Sequence, residues 1–197
     1  VIKLLAKLPR NIHLAVSGGI DSVVALDFLA RNHNITIVHM NHKEGNSDAS
    51  ADFVLELAIK YGCKLVYDEI KQVKPRNLSR EEFWRNERYK LFHRVAEPVI
   101  TAHTLDDCVE TWLWSSLNGI PKIIPYNNIN VIRPFLATKK SDFNRWANRN
   151  NLKWVEDESN SDLSLTRNFI RKELMPKAMQ VNPGLYKTIF KKVMNNG

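Results

Sequence analysis

Two cysteines in 197 residues leave little scope for thiol chemistry. Cys63 and Cys108 lie far apart with no C-x-x-C pair, which argues against a zinc knuckle or a disulfide framework and fits a reduced, cytoplasmic setting. No apolar run approaches the ~18 residues of a membrane span, and residues 1–9 are too short and too interrupted by lysine for a secretory signal. Internal repeats and low-complexity tracts are also lacking. Acidic residues are in the minority, 21 against 29 Lys and Arg for a net charge of +8, which points to a polyanionic partner. The length suits one well-buried α/β domain with a small appendage and argues against two full domains.

Short β-rich runs alternate with longer segments of helical period. The pattern predicts strands at 12–17, 35–40, 64–69 and 98–102, and helices at 20–32, 48–61, 79–95, 105–117 and about 139–151. Such alternation implies an open parallel sheet of the Rossmann-like α/β class with helices on both faces. Ligands of such sheets sit at the carboxyl ends of the strands, where strand order reverses. Residues 71–77 form a polar loop, residues 121–128 are turn-rich, and a small helical extension ends the chain.

At the end of the first expected strand stands Ser17-Gly18-Gly19-Ile20-Asp21-Ser22. Two glycines let the backbone approach an anion closely. The following helix offers its first amides and positive dipole end, and the two serines add hydroxyls. The loop lacks the lysine and longer spacing of G-x-x-x-x-G-K-[ST], so ordinary γ-phosphate transfer is not its natural chemistry. It resembles instead the pyrophosphate loop of the N-type ATP pyrophosphatases, which cleave ATP between the α and β phosphates.

A second constellation follows the fourth expected strand, from His103 to Glu110. At 100° per residue, Leu105, Cys108, Val109, Trp112 and Leu113 share one helical face, and Asp106, Asp107 and Glu110 gather within about 100° of arc on the other. No Lys or Arg between residues 95 and 121 compensates them locally. Such a cluster could hold Mg²⁺ or grip a substrate amine, or it could be a solvated acidic face. His103 could orient a phosphate or bond a loop. Trp112, Trp114, Trp146 and Trp154 at helical spacing are assigned to the core rather than to base stacking.

Ala102-His103 with Asp106-Asp107-x-x-Glu110-Thr111 resembles an element of the tRNA(Ile)-lysidine synthetases, and further elements recur in the family's order. These are Ser17 to Ser22, His39-x-x-His42, Arg85-x-x-Arg88-Tyr89, Ile132 to Leu136, Trp154-x-x-Asp157-x-Ser159-Asn160, Arg167-Asn168-x-x-Arg171 and Leu174-Met175-Pro176. The resemblance implies an ATP- and Mg²⁺-dependent carbon–nitrogen ligase of the PP-loop superfamily. It would adenylate the C2 oxygen of the wobble cytidine in CAU-anticodon isoleucine tRNA, and free lysine would displace AMP. It implies catalytic roles for Asp21, Asp107 and Glu110, and nucleotide contacts from Ser17, Gly18, Gly19, Ile20, Asp21, Ser22 and His103. Asp21 is also the implied metal ligand, and Arg85, Arg88, Arg167 and Arg171 the implied RNA contacts.

The same resemblance divides the chain into a core at 1–125 and a continuation at 126–197, with no separate tRNA-binding C-terminal domain. Oligomeric state stays open, a homodimer being one arrangement. The sequence departs from the family at His42-Lys43-Glu44-Gly45 and at Leu117-Asn118-Gly119, where an arginine is usual. Alternatives are another PP-loop enzyme that modifies tRNA or forms an amide, and a non-catalytic tRNA-binding relic.

Overall fold

The computed structural model describes residues 1–95, 97–156 and 165–195, and the motif positions Asp157, Ser159 and Asn160 lie outside them. In chain order the elements are β1 (Asn11–Ala15), α1 (Ile20–Ala30), β2 (Asn34–Asn41), α2 (Ser47–Tyr61), β3 (Lys64–Glu69), α3 (Arg80–Arg94), β4 (Val99–Ile100) and α4 (Leu105–Leu117). A hairpin of β5 (Asn127–Asn128) and β6 (Val131–Ile132) follows, then α5 (Lys140–Arg149). The chain closes with α6 (Thr166–Phe169), a π-helical turn (Ile170–Leu174), α7 (Met175–Val181) and α8 (Leu185–Asn195).

The strands form one sheet in the order β3-β2-β1-β4-β6-β5. All pairs are parallel except β5 with β6. Alternation along β1 and β2 builds the two faces. Ile12, Leu14, Val16, Ile35 and Ile37 pack with Val23, Leu26 and Leu29 of α1, Val54 and Leu57 of α2, and Phe143 and Ala147 of α5. On the other side Val38, Met40, Val99 and Val131 meet Leu91 and Phe92 of α3. A third cluster joins Leu105, Cys108 and Val109 of α4 to Met175 of α7 and to Leu185, Ile189 and Val193 of α8. The α8 residues recur every fourth position, the stripe an amphipathic helix buries.

Helix ends follow local chemistry. The Ser79 side chain accepts from the Glu82 amide at the start of α3, and α2 ends on Gly62, whose φ of 62° suits a residue without a Cβ. β1 and β4 end earlier than the apolar runs suggest; in β1, Val16 and Ser17 already turn into the glycine loop while the Val16 amide still donates to Val38. The β5–β6 hairpin is a finding against expectation: a stretch read as turn supplies an edge strand, anchored where the Val99 and Thr101 amides donate to Asn130 and Ile132. Among the described residues, no helix is long and apolar enough to cross a membrane.

From β1 the chain proceeds to β2 and β3 on one side, and from β4 to β6 and β5 on the other. The reversal opens a crevice beyond the carboxyl ends of β1 and β4. Both loops with chemical signatures enter it.

Candidate active site

The glycine loop is held from within by its own serines. Ser22 Oγ donates to the Gly19 carbonyl at 2.8 Å and accepts from the Ser17 amide at 3.1 Å. The Ser17 and Ser22 hydroxyls lie 3.3 Å apart. Gly18 has φ 91°, a conformation that an L side chain resists, and its carbonyl accepts from Val155 at 3.0 Å. Gly19 caps α1 with no side-chain hydrogen bond, which leaves first-turn amides for an anion. Ile20 packs against the core, so it can meet a ligand only through its backbone.

Asp21 carries the loop's charge. Its Oδ2 takes Lys140 Nζ at 2.6 Å, whereas Oδ1 is buried with no hydrogen-bond partner. Burial raises its pKa and Lys140 opposes the rise, with Asp107 and Arg171 near enough to add smaller effects of opposite sign. An open carboxylate oxygen beside a phosphate-type loop fits Mg²⁺, which commonly takes one or two carboxylates together with substrate phosphates. Among the described residues no group of three or more His, Cys, Asp or Glu forms a metal cage.

At the start of α4, Thr104 and Asp107 form a capping box. Asp107 Oδ2 accepts from the Thr104 amide at 2.7 Å and from its hydroxyl at 2.9 Å. The remaining acidic atoms face arginine. Arg167 Nη2 reaches Asp107 Oδ1 at 2.7 Å and Arg167 Nε reaches Glu110 Oε2 at 3.2 Å. Arg171 grips Glu110 through both oxygens, at 2.6 and 3.0 Å. Burial alone would raise the Asp107 carboxyl, but His103, Arg167, the Thr104 amide and Arg171 outweigh it and hold the pKa at about 2. The acidic cluster is therefore compensated from a segment some 60 residues downstream.

Asp106 faces elsewhere, accepting from the Lys140 amide at 2.7 Å and from the Tyr186 hydroxyl at 2.6 Å. These bonds join α5 and α8 to the start of α4.

His103 lies half-buried with Nδ1 2.8 Å from Thr101 Oγ1. Burial pushes its pKa down to about 4, opposed by Asp107 and reinforced by Arg133, Arg167 and Arg88. The imidazole is neutral near pH 7, within a cationic field. Arg133 is buried, donating to Pro125 O and Tyr89 Oη at 2.9 Å each. Arg88 places Nη1 3.5 Å from His42 Nε2. Exposed Arg85 lies over the Tyr89 ring.

Ser17 to Ser22, His103, Asp107 and Glu110 thus meet at one crevice. Arg167 and Arg171, expected on RNA, pair with Asp107 and Glu110, while Arg85 and Arg88 extend from α3. Sequence reasoning missed Lys140 and Arg133. Arg133 was marked by its place in the Ile132 to Leu136 element, whereas Lys140 carried no local signal. Asn118 caps α4 by donating to the Trp114 carbonyl at 2.7 Å. Trp146 and Trp154 pack on the core and Trp112 on the α4 cluster, but Trp114 is a correction, half-exposed because it projects from the uncovered side of α4.

Among known proteins, the tRNA(Ile)-lysidine synthase of Haemophilus ducreyi is 32% identical over 183 residues, covering 86% of this chain and 42% of that protein. That of Thermosipho africanus is 31% identical over 203 residues, covering 94% and 48%. The chain spans less than half the length of these curated relatives. In fold it is similar to the U34-tRNA thiolase of Methanococcus maripaludis, with a TM-score of 0.76 at 17% identity over 97% of this chain and 74% of that one. It is also similar to the NH3-dependent NAD synthetase of Campylobacter jejuni, at 0.52 and 16% over 96% and 86%. The PP-loop domain profile matches residues 2–178. A match of that extent, on a chain whose glycine loop opens at the reversal of strand order, settles the family: this chain belongs to the PP-loop domain proteins.

Proposed function

We propose that this domain uses ATP to adenylate the C2 oxygen of the wobble cytidine in CAU-anticodon isoleucine tRNA, and that lysine then displaces AMP to form lysidine. The observation that carries this reading is the convergence of the glycine loop with His103, Asp107 and Glu110 at the β1–β4 crevice, in a chain about a third identical to tRNA(Ile)-lysidine synthases.

In the first step the C2 oxygen bonds to the α phosphorus and the bond to the pyrophosphate oxygen breaks. The Gly18 to Ser22 backbone would receive phosphate oxygens, its fixed N–H donors meeting the charge that builds there. Asp21 would hold Mg²⁺, which supplies charge neutralisation on the phosphates. Neutral His103 can hydrogen-bond a phosphate oxygen through Nε2 when Nδ1 accepts from Thr101.

In the second step the lysine ammonium first gives up a proton to solvent, the neutral nitrogen then bonds to C2, AMP leaves with the oxygen, and the remaining proton on nitrogen passes to solvent. Lysine's charge is drawn to Asp107 and Glu110, where Arg167, with a 54% exposed side chain, is better placed to yield than Arg171 at 32%. Asp107 at about 2 and His103 at about 4 are too weak as bases to take the amine proton near neutrality. They position and bind. Arg85 and Arg88 are the candidate RNA contacts, through phosphate or stacking.

The test incubates the chain with ATP, radiolabelled lysine and isoleucine tRNA transcripts carrying CAU or CAC anticodons. Label entering only the CAU transcript, with pyrophosphate released, is the expected result. Absence of both label and pyrophosphate overturns the reading, and pyrophosphate without lysine transfer moves it to another adenylating chemistry.

A further inference from the structure

The sheet ends on one side at β3, and among the described residues no strand pairs with its outer edge. An edge strand carries a row of unpaired N–H and C=O groups that invites another strand. β3, Lys64-Leu65-Val66-Tyr67-Asp68-Glu69, has neither proline nor glycine to interrupt that row. Ile70 donates inward to the Asn41 carbonyl at 2.9 Å, and because backbone direction alternates along a strand, the N–H and C=O groups of Leu65 and Tyr67 point outward. The next outward amide, that of Glu69, is taken by the Asp68 carboxylate at 2.8 Å.

The helix above this edge carries exposed apolar side chains. α2 lies over β2 and β3. It buries Val54, Leu57 and Ala58, and it turns Phe53, Glu56 and Lys60 toward Val23 of α1, with which they line a cleft. At 100° per residue Leu55 and Ile59 fall on the opposite flank, beside the free edge, and they are 49% and 74% exposed. Leu65 and Tyr67 rise on the same face of the sheet, Leu65 against the core cluster that includes α2 and Tyr67 stacked on His39.

We propose that this edge pairs with the same edge of a second copy of the chain, antiparallel about a two-fold axis at Val66, to give one continuous sheet. A two-fold axis normal to the sheet keeps the faces of the two copies in common, so residues standing opposite are both odd or both even in number. In the register centred on Val66, Leu65 of one copy and Tyr67 of the other exchange hydrogen bonds. Lys64 then stands opposite Asp68, twice by symmetry, at a carboxylate shared with the exposed Arg94. The register centred on Tyr67 would instead set Val66 against Asp68 and Leu65 against Glu69, and leave Lys64 without a carboxylate. Strands lie ~4.8 Å apart, so two α2 helices, each above the two outer strands of its own copy, come within about 10 Å, the spacing at which helices pack, and Leu55 and Ile59 meet there. The two crevices open at opposite ends of the joint sheet, and the pairing is independent of the reaction proposed above.

Sedimentation equilibrium of the full chain at micromolar concentrations tests the pairing, with circular dichroism and urea midpoints to show that each variant stays folded. The parent should sediment at twice the chain mass. Ile59→Lys should be monomeric. Lys64→Glu and Asp68→Lys each set like charges across the axis and should each raise the dissociation constant about tenfold or more. Mixed together, these two variants should form a heterodimer, because each then meets the opposite charge on the other. A monomeric parent overturns the proposal. A parent dimer that survives Ile59→Lys and Lys64→Glu unchanged assigns the contact to another surface and overturns it too, and charge variants that fail to rescue each other overturn the register.

Discussion

His103 holds its neutral form because burial removes the solvent that would stabilise an imidazolium, and the neighbouring arginines add to the effect. Its folded pKa of about 4 lies below the ordinary value of 6.5. The unfolded chain therefore binds more protons between those limits, and folding is weakened as pH falls through them. Stability from this group is complete above pH 6.5 and declines by about 2 to 3 kcal/mol on approach to pH 4. Asp107 contributes in the same direction, but only below its ordinary value of 3.8, as pH falls toward about 2. Urea unfolding at pH 7 and 4.5 separates the two. His103→Gln, which cannot take the proton, should flatten the slope in this window, and a slope equal to the parent's would assign it elsewhere.

Among the elements, the β5–β6 hairpin works against local preference. Ile129 stands at its tip with φ 53° and 80% exposure. A β-branched residue in the left-handed region is strained by about 1 to 2 kcal/mol, and one so exposed returns little by packing. The turn is imposed from its neighbour: the Asn130 side chain donates to the Phe92 and Val95 carbonyls at the end of α3. Ile129→Asn, a residue tolerant of this conformation, should raise stability by about 1 kcal/mol. An unchanged or lower urea midpoint would contradict it. The hairpin also shows why part of the fold was illegible. A two-residue strand carries no period, and Asn127-Asn128 reads as turn because asparagine favours turns, whereas β1 and β2 announce themselves by apolar runs and α2 and α4 by apolar residues at helical spacing. The site divides in the same way. Ser17 to Ser22 and His103 to Glu110 are contiguous and could be read. The pairing of Lys140 with Asp21, and of Arg167 and Arg171 with the acidic pair, depends on chain paths that charge patterns do not encode.

Across the whole molecule the positive charge is unevenly placed, with no acidic residue after Glu173 and lysines at 177, 187, 191 and 192. This cationic extension folds back on α4, the helix whose three carboxylates lack a local counterion. Glu110 meets Arg167 and Arg171, and Asp106 meets Tyr186. Apolar contact of α8 with α4 supplies adhesion, and the carboxylates supply its register and charge balance. Removing one partner should therefore loosen the extension before it disturbs the sheet. Glu110→Gln, which keeps volume but leaves two guanidinium groups with one fewer charge, should cost about 2 kcal/mol, because Arg167 can recover water. Hydrogen exchange should then rise in residues 165–195, while amides of β1 and β2 stay as protected as in the parent. A uniform rise through the sheet would mean that the ion pairs support the core, and no rise would mean that α8 packing holds the extension alone. In the expected case Arg167 and Arg171 act first as fasteners between the end of the chain and α4, and any salt dependence of the proposed RNA binding would come from arginines such as Arg85 and Arg88 that are free of that duty.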